Sequence, residues 1–388
     1  MRFKPFVLFI LFAFVLGTFS GTALAWEKGN MKISPGFKVV ERWDSNVFYD
    51  SSDAKYDIIS IMSPSIKSEF GFGAAGKHKL RADYVVDFGV FGKHSSQNYA
   101  NQDMFGELFL DFNKYNVTVN DNFLITSDRA GTEFTNRNLR KENTGRSILG
   151  MDFNKFSADI GYEHYLVDYH SNLLRTLDRY ENAVWTTGYM DLPNATKTKG
   201  LLEFEYRNIT YKNIGARNAD AYSVLVGVQG DITPKLTGIA KAGYQIKDYR
   251  HSAANDFSSA IAHIDLLYAY NDRTDFLFSY HRQAYESTDA SNNYYTGDHF
   301  LTSVDYKFGG NFIARADGMF YYNDYPNISA GENKKRRDFE WALGPSIDYV
   351  FKEWLIAGVG YRFHQRASNI DNREYSQHVV DGNVRLVF

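Results

Sequence analysis

The sequence predicts an all-β protein: a transmembrane, antiparallel, up-and-down β-barrel of the outer-membrane type with about 18 strands. Three observations carry that expectation. Short turn signals recur every 37 to 43 residues, the segments between them alternate apolar and polar side chains, and the first 25 residues have the form of an export signal.

In chain order the export signal comes first. Arg2 and Lys4 precede the uncharged apolar run Phe6 to Leu16, and Gly21-Thr22-Ala23-Leu24-Ala25 then has the A-x-A form of a secretory cleavage site. A single transmembrane helix competes with this reading, but the apolar core is short and a small-residue site follows it. Residues 1–25 are thus expected to be a signal peptide that leads to the bacterial outer membrane, and residues 26–388 one transmembrane barrel domain. Without residues 1–25, which carry Arg2 and Lys4, 41 Lys and Arg face 46 Asp and Glu. That balance gives no reason to expect nucleic acid as a partner.

Composition agrees. The 31 Phe, 28 Tyr and 5 Trp are a heavy aromatic load for a soluble exported protein, and no run of eighteen apolar residues follows the signal. There are seven Pro and no Cys, which removes disulfides, thiolate metal sites and cysteine nucleophiles together. No linker or charge block divides the chain.

The turn signals are Gly73-Ala74-Ala75-Gly76, Asn113-Lys114, Asn154-Lys155, Pro193-Asn194, Thr233-Pro234, Asn271-Asp272-Arg273, Gly309-Gly310 and Lys352-Glu353. Midway between them lie longer polar segments at 49–56, 93–100, 128–143, 170–180, 212–219, 250–257, 287–293, 326–337 and 367–374. Eight turns and nine loops connect eighteen strands, with 16 as the lower bound. Short turns on one rim and long loops on the other are the asymmetry of an outer-membrane barrel. A propeller is the competing forty-residue repeat, but its blades need four short strands per period.

The strands show two faces. Leu80, Ala82, Tyr84, Val86 and Phe88 alternate with Arg81, Asp83 and Asp87; Leu202, Phe204 and Tyr206 alternate with Glu203, Glu205 and Arg207. A Lys or Arg facing lipid at mid-depth costs roughly 2–4 kcal/mol, so the charged face is expected to line the lumen. The candidates are Arg81, Asp83, Asp87, Glu107, Glu203, Glu205, Arg207, Lys241, Asp265, Asp305, Lys307, Arg315, Asp317, Arg362, Arg366 and Arg385, with Glu163, Lys247, Glu340, Asp348 and Asp381 of the same parity. They could brace the wall or filter solutes.

Aromatic residues are expected in two belts. Phe112, Tyr115, Phe153, Phe156, Tyr268, Tyr270, Phe276, Phe308, Phe312, Phe351 and Trp354 lie near the turns, and Tyr165, Tyr169, Tyr180, Trp185, Tyr211, Tyr222, Tyr249, Tyr285, Tyr294, Tyr321, Tyr322 and Tyr325 near the loops. The final strand puts Phe388, Leu386, Val384, Gly382 and Val380 on one face, with Arg385, Asn383 and Asp381 on the other. It is expected to close onto the first strand, and Phe388, Leu386 and Val384 to serve as the signal read by the barrel-assembly machinery.

Residues Ile33 to Val40, then Arg42-Trp43-Asp44-Ser45-Asn46-Val47-Phe48-Tyr49, Ser63-Pro64-Ser65 and Leu80-Arg81-Ala82-Asp83-Tyr84 together resemble the putative beta-barrel porin 2 family. Asp44, Asn46 and Phe48 stand in its D-x-N-hydrophobic stretch at the exit of the first strand, and Pro64 in the strand that follows. The resemblance implies an outer-membrane porin or a polysaccharide secretion channel associated with exopolysaccharide. Read as residues alone, Asp44 and Asn46 are turn formers.

Folding the chain about Asp272 places His263 opposite His281 and Asp265 opposite Ser279, so Ser279, His281 and Asp265 could in principle form a lumenal hydrolase site. A lipid-hydrolysing site should open to the bilayer, which this one does not, so no enzyme is expected. No His pair has metal-ligand spacing such as H-x-x-x-H, and neither metal nor cofactor is expected. The basic segments Arg129, Arg137, Arg140, Lys141 and Lys334-Lys335-Arg336-Arg337 could meet lipopolysaccharide phosphates or be solvated loops. The reading is a channel embedded in outer-membrane lipid that passes polysaccharide or other hydrophilic solutes. A general diffusion porin and a non-conducting, polymer-binding barrel remain open.

Overall fold

The computed structural model describes residues 25–193, 197–250, 256–289, 291–329 and 331–388. The export signal, apart from Ala25, and Asn194 of the fourth turn lie outside the described residues. The strands are β1 (Trp26–Lys28), β2 (Met31–Asp44), β3 (Asp57–Phe72), β4 (His78–Phe91), β5 (Tyr99–Asp111), β6 (Tyr115–Thr126), β7 (Arg140–Phe153), β8 (Phe156–Tyr169), β9 (Arg179–Asp191) and β10 (Thr198–Tyr211). They continue with β11 (Ala219–Thr233), β12 (Leu236–Tyr249), β13 (Phe257–Asn271), β14 (Thr274–Glu286), β15 (Tyr294–Lys307), β16 (Phe312–Ile328), β17 (Lys335–Lys352), β18 (Leu355–Ser368) and β19 (Tyr375–Val387).

Each strand from β2 to β19 pairs antiparallel with its chain neighbours, and β19 pairs with β2, so eighteen strands form one closed sheet. Strand β1 is an addition that the turn count did not foresee. It pairs with the first residues of β2, Trp26 opposite Ile33, below the point where β19 ends opposite Gly36. It therefore covers a stretch of edge that closure alone would leave bare.

The turns are tight because their residues allow it. Asn113 and Asn154 take positive φ (71° and 74°), the left-handed region that asparagine tolerates, and each backbone N–H is held by the preceding Asp111 or Asp152 carboxylate at 2.7 and 3.1 Å. Pro64 and Pro345 each lack an N–H, and the ladder is interrupted there: β3 skips from Met62 to Ser65 against β4, and β17 from Leu343 to Ser346 against β18.

Alternation sorts the side chains. Leu80, Phe88, Leu202, Phe204, Val224, Ile246, Phe300, Phe339 and Val380 are all exposed on the outer face. In water such a band would be a large apolar patch; in lipid each side chain is at home, worth about 1.5–3 kcal/mol apiece relative to water. The lower belt stands outward as expected, with Phe112, Phe153, Phe156, Tyr270 and Phe351 exposed.

The upper belt differs from expectation. Tyr222 and Tyr322 face outward, but Tyr169, Tyr211, Tyr249, Tyr294 and Tyr325 are buried, and Trp185 lies over Gly161 on the inner side. Tyr165, Tyr285 and Tyr321 share the inward parity. Proximity to a loop does not decide which face a ring takes; parity does for all of these but Tyr294, which has the outward parity of Phe300 and is buried against Tyr249 and Phe257. The outward upper belt is built instead by Tyr84, Tyr162, Tyr206, Tyr244, Tyr280 and Tyr361. Each phenol bonds a polar side chain one strand on: Gln102, Asn182, Asp220, Ser258, Asp298 and His378, at 2.7–3.1 Å. Above those partners the outer face turns polar, so the rings mark where hydrocarbon ends.

The seam between β19 and β2 is fastened inside by Arg42, whose Nε and Nη2 donate to the two Asp381 carboxylate oxygens at 2.7 and 3.2 Å across a direct register pair. The Phe388 ring stacks near Trp354 of the neighbouring turn, centroids 6.0 Å apart. Because the Arg42 and Asp381 side chains are each about a third exposed, their ion pair is expected to contribute about 1 kcal/mol rather than the several of a buried one. A double-mutant cycle of Arg42→Ala and Asp381→Ala, read by chemical unfolding in micelles, should return a coupling energy of that order.

Candidate functional site in the lumen

The charged candidates occupy the face opposite the exposed apolar residues, and the structure joins most of them across strands. Glu203 accepts from Lys241 at 2.7 Å, Asp305 takes both arms of Arg315 at 2.6 Å, and Arg81 bonds Asp83 at 2.5 Å. Arg207 bridges Glu163, Glu181 and Glu205 at 2.9, 3.2 and 3.0 Å. Arg385 meets Asp348, Arg362 lies 3.7 Å from Asp317, and Lys247 pairs with Glu286. Arg366 uses its Nε on the Arg373 carbonyl at 2.7 Å and its Nη1 on Thr132. Asp87, Glu107 and Lys307 carry no ion pair among the described residues. Among the described residues the wall is cross-braced, with no ring of one sign.

Eighteen strands about 4.8 Å apart and tilted about 40° close a ring about 35 Å across. Side chains cannot fill such a bore. The segment between β6 and β7, residues 127–139, does what they cannot: it leaves its own rim and crosses to the far wall. Asn323 of β16, nine strands from β7 and so half-way round, donates to Thr132 Oγ1 at 2.9 Å. Glu133, almost fully buried, accepts from Ser287 Oγ at 2.8 Å and the Thr288 N–H at 2.6 Å, with Arg336 3.9 Å away. Half of thirteen residues spans roughly 20 Å; the loop at 287–288 and the long side chains of Arg336 and Arg366 meet the tip from the far side.

The loop's stem is held by aromatic rings. Arg137 lies 4.1 Å over Tyr99 and bonds Asp128 at 2.8 Å; Phe134 and Ala130 pack against Val167, Tyr169 and Leu177. Tyr99 in turn lies over Gly89, where a Cβ would come within 2.1 Å of its ring. Arg129 lies 3.7 Å over Tyr49 and donates to the Val47 carbonyl at 2.6 Å. Burial pushes the Tyr49 phenol above and the Arg129 guanidinium below their ordinary values.

Tyr49 is fixed by the stretch that Asp44 opens. Asp44 accepts the Asn46 N–H at 2.8 Å and Gln377 Nε2 at 2.7 Å; Asn46, nearly inaccessible, bonds the backbone of Asp50 twice and the Ser376 carbonyl at 3.0 Å. Phe48 packs edge-on to His94 at 5.1 Å. These are turn formers that also tie the first loop to β19, and they hold Tyr49 stacked on Tyr375 at 4.4 Å with positive φ (55°).

Against the loop, on the lumenal side, lies a cavity of about 760 Å³. Tyr49, Tyr285, Tyr321, Tyr375 and His299 supply rings, while Arg42, Arg362, Asp44, Glu340 and Gln377 supply charge and hydrogen-bonding groups. The rings form a ladder across β14, β15 and β16, with His299 stacked on Tyr321 at 4.0 Å and on Tyr285 at 4.5 Å.

The model of the family described as putative beta-barrel porin 2 matches residues 24–388. The chain belongs to that family. It is a porin-family barrel of the outer membrane, and no curated protein sequence matches it. Among solved structures, the chain is similar to a BenF-like porin from Pseudomonas fluorescens Pf-5, at 12% identity over 92% of this chain and 99% of that one, with a TM-score of 0.50. It is also similar to OccAB3 from Acinetobacter baumannii (10% identity, 92% and 99% covered, TM-score 0.49) and to OpdQ from Pseudomonas aeruginosa (13%, 93% and 100%, 0.48). At 12% identity, the likeness to the BenF-like porin speaks to the fold alone.

For the porin-family barrel, the basic loop segments need correction. Arg129, Arg137 and Arg140 are engaged with the crossing loop and its stem, and Arg336 is buried against Asp338 at 2.5 Å, so these four are neither solvated nor turned to the outer leaflet. Arg337 pairs with Asp324 at 3.0 Å on the outer side.

Ser279, His281 and Asp265 do come together, in the register expected. Ser279 donates to Asp265 at 2.5 Å, and His281 meets both groups through the same Nε2, at 3.4 and 3.2 Å. A nucleophile relay needs the two ring nitrogens used in series, serine on one and carboxylate on the other. This cluster lacks that order.

If the crossing loop sets the bore, deleting residues 130–136 should leave a folded barrel whose single-channel conductance is at least about twice that of the full chain. Gly89→Val, which displaces Tyr99 and with it Arg137, should broaden the distribution of conductance levels while retaining the heat-modifiable migration of a folded barrel.

Proposed function

We propose that this barrel is a passive channel for hydrophilic solutes, with polysaccharide segments as the cargo that fits its interior best. One observation carries the reading: the loop-side cavity combines a ladder of aromatic rings with paired charges and amides. Sugars present apolar C–H faces and hydroxyl rims, and sites that hold such molecules set ring faces beside a few polar groups. The charged wall above and below, cross-braced and wet, gives a polymer many weak contacts and no deep trap.

Residues 1–25 are removed on export, residues 26–388 form the barrel, and Phe388, Leu386 and Val384 engage the assembly machinery. Lipopolysaccharide surrounds the polar outer band above Tyr206 and Tyr280. No catalytic step is assigned to Ser279, His281 or Asp265. The many contacts that fix the crossing loop favour a narrow pore, and taken to the limit they favour a closed, structural barrel.

Planar-bilayer recording with neutral and acidic oligosaccharides on one side tests this. The expected result is steady conductance with transient blocks by the sugars, and Tyr321→Ala with Tyr375→Ala weakening the block about tenfold, since each ring contributes about 0.5–1.5 kcal/mol. Conductance without sugar block would leave a general diffusion porin; no conductance in any condition would remove the channel.

A further inference from the structure

We infer that the lumen wall carries a binding site for a divalent transition-metal ion, formed by His263 and Asp265 of β13 with His281 of β14. His263 and His281 are direct register partners on neighbouring strands. Their rings stack nearly parallel, 24° apart with centroids 4.1 Å apart, which puts the two imidazoles side by side. Both turn Nε2 toward one carboxylate: His263 lies 2.6 Å from Oδ2 of Asp265, and His281 lies 3.2 and 3.3 Å from its two oxygens. The three ligating atoms fall within 4.8 Å of one another, which is the spread that a single ion with bonds of about 2.0–2.2 Å draws together.

The donor set selects the ion. Two imidazole nitrogens and one carboxylate suit Zn²⁺, Ni²⁺ or Cu²⁺, whereas Mg²⁺ and Ca²⁺ prefer all-oxygen shells. Ser279 donates to Asp265 at 2.5 Å and so orients the carboxylate, as outer hydrogen bonds do around metal ligands. Lys241, the register partner of His263 on β12, would oppose a cation, but its ammonium is taken up by both Glu203 oxygens at 2.7 and 2.8 Å.

All three side chains are a third to nearly half exposed, so an ion reaches them from the lumen and keeps at least one position open to water or to an oxygen of a passing solute. Beside the cluster the inward parity brings Leu267, Leu277, Leu301 and Met319 together around a cavity of about 600 Å³. The bound ion would thus be a fixed positive charge next to an apolar stretch of wall, where it is less screened than in open solution.

The test uses the full barrel in detergent micelles with any polyhistidine tag removed. Titration calorimetry with ZnCl₂ should show one saturable site, with MgCl₂ giving none, and Asp265→Asn and His281→Gln should each weaken zinc binding at least about tenfold. In bilayers, Zn²⁺ should lower the single-channel current of the unmodified protein by about twofold or more, reversed by EDTA, and leave the His281→Gln current unchanged. Asp265→Asn keeps the shape of the side chain and one oxygen to accept from Ser279 while removing the charge, and migration before and after boiling reports whether each variant is folded. No saturable zinc binding by the unmodified protein, or equal binding by the folded variants, would overturn the site. Calorimetry does not need an open pore, so this failure is separable from failure of the channel reading.

Discussion

Hydrocarbon offers no partner to a backbone N–H or C=O, and every other feature of this chain follows from that. A sheet that enters lipid must pair all of its strands, which only a ring allows. The last pairing, β19 on β2, therefore carries more weight than any single turn, and the chain equips it from both sides. Nine consecutive register pairs run from Val379 opposite Asp44 to Val387 opposite Gly36, Arg42 clasps Asp381 within, and β1 covers the edge of β2 that β19 leaves uncovered.

Closure has a geometrical cost. Eighteen strands enclose more space than wall side chains can fill, and an unobstructed bore would discriminate little. The chain answers with one long loop instead of an inserted domain. Residues 127–139 cross the ring, and the groups they meet sit on strands and loops far away in sequence: Ser287 and Thr288, Asn323, Arg336, Arg366. Glu133 is nearly buried among them, where loss of a partner would leave a charge unpaired, so the loop's resting place is well specified. The cavity with its ring ladder exists because the loop covers one side of it.

Much of this was legible in the sequence, for a reason that can be stated residue by residue. Asn113 and Asn154 tolerate positive φ, so the turns announced themselves, and the period of two told Leu202, Phe204 and Tyr206 from Glu203, Glu205 and Arg207. The facing of His263 and His281 followed from counting back from one turn, and it survived an irregularity at Ala269. What was not legible depends on contacts that no local pattern encodes. Nearness to loops predicts an upper Tyr belt, but Tyr211 and Tyr325 turn inward because parity and buried partners decide the face. The crossing of 127–139 is long-range; its hints were an Arg at each end of the segment and the apolar Phe134 in its middle, unusual in a loop meant for water. The three ligating groups escaped a search for linear spacing because two strands supply them.

Closure is directly measurable, because the chain has no Cys of its own. Val40 and Asn383 are register partners across the seam, within the Cα separation that a disulfide spans. With cysteines at both positions, mild oxidation of the barrel in native membranes should give a near-complete intramolecular bond, seen as a mobility shift of the boiled, unreduced chain that reductant abolishes. Failure of that pair to link, while a control pair at Ala357 and Val384 within the β18–β19 hairpin links readily, would show an open sheet and contradict the structure from its first premise.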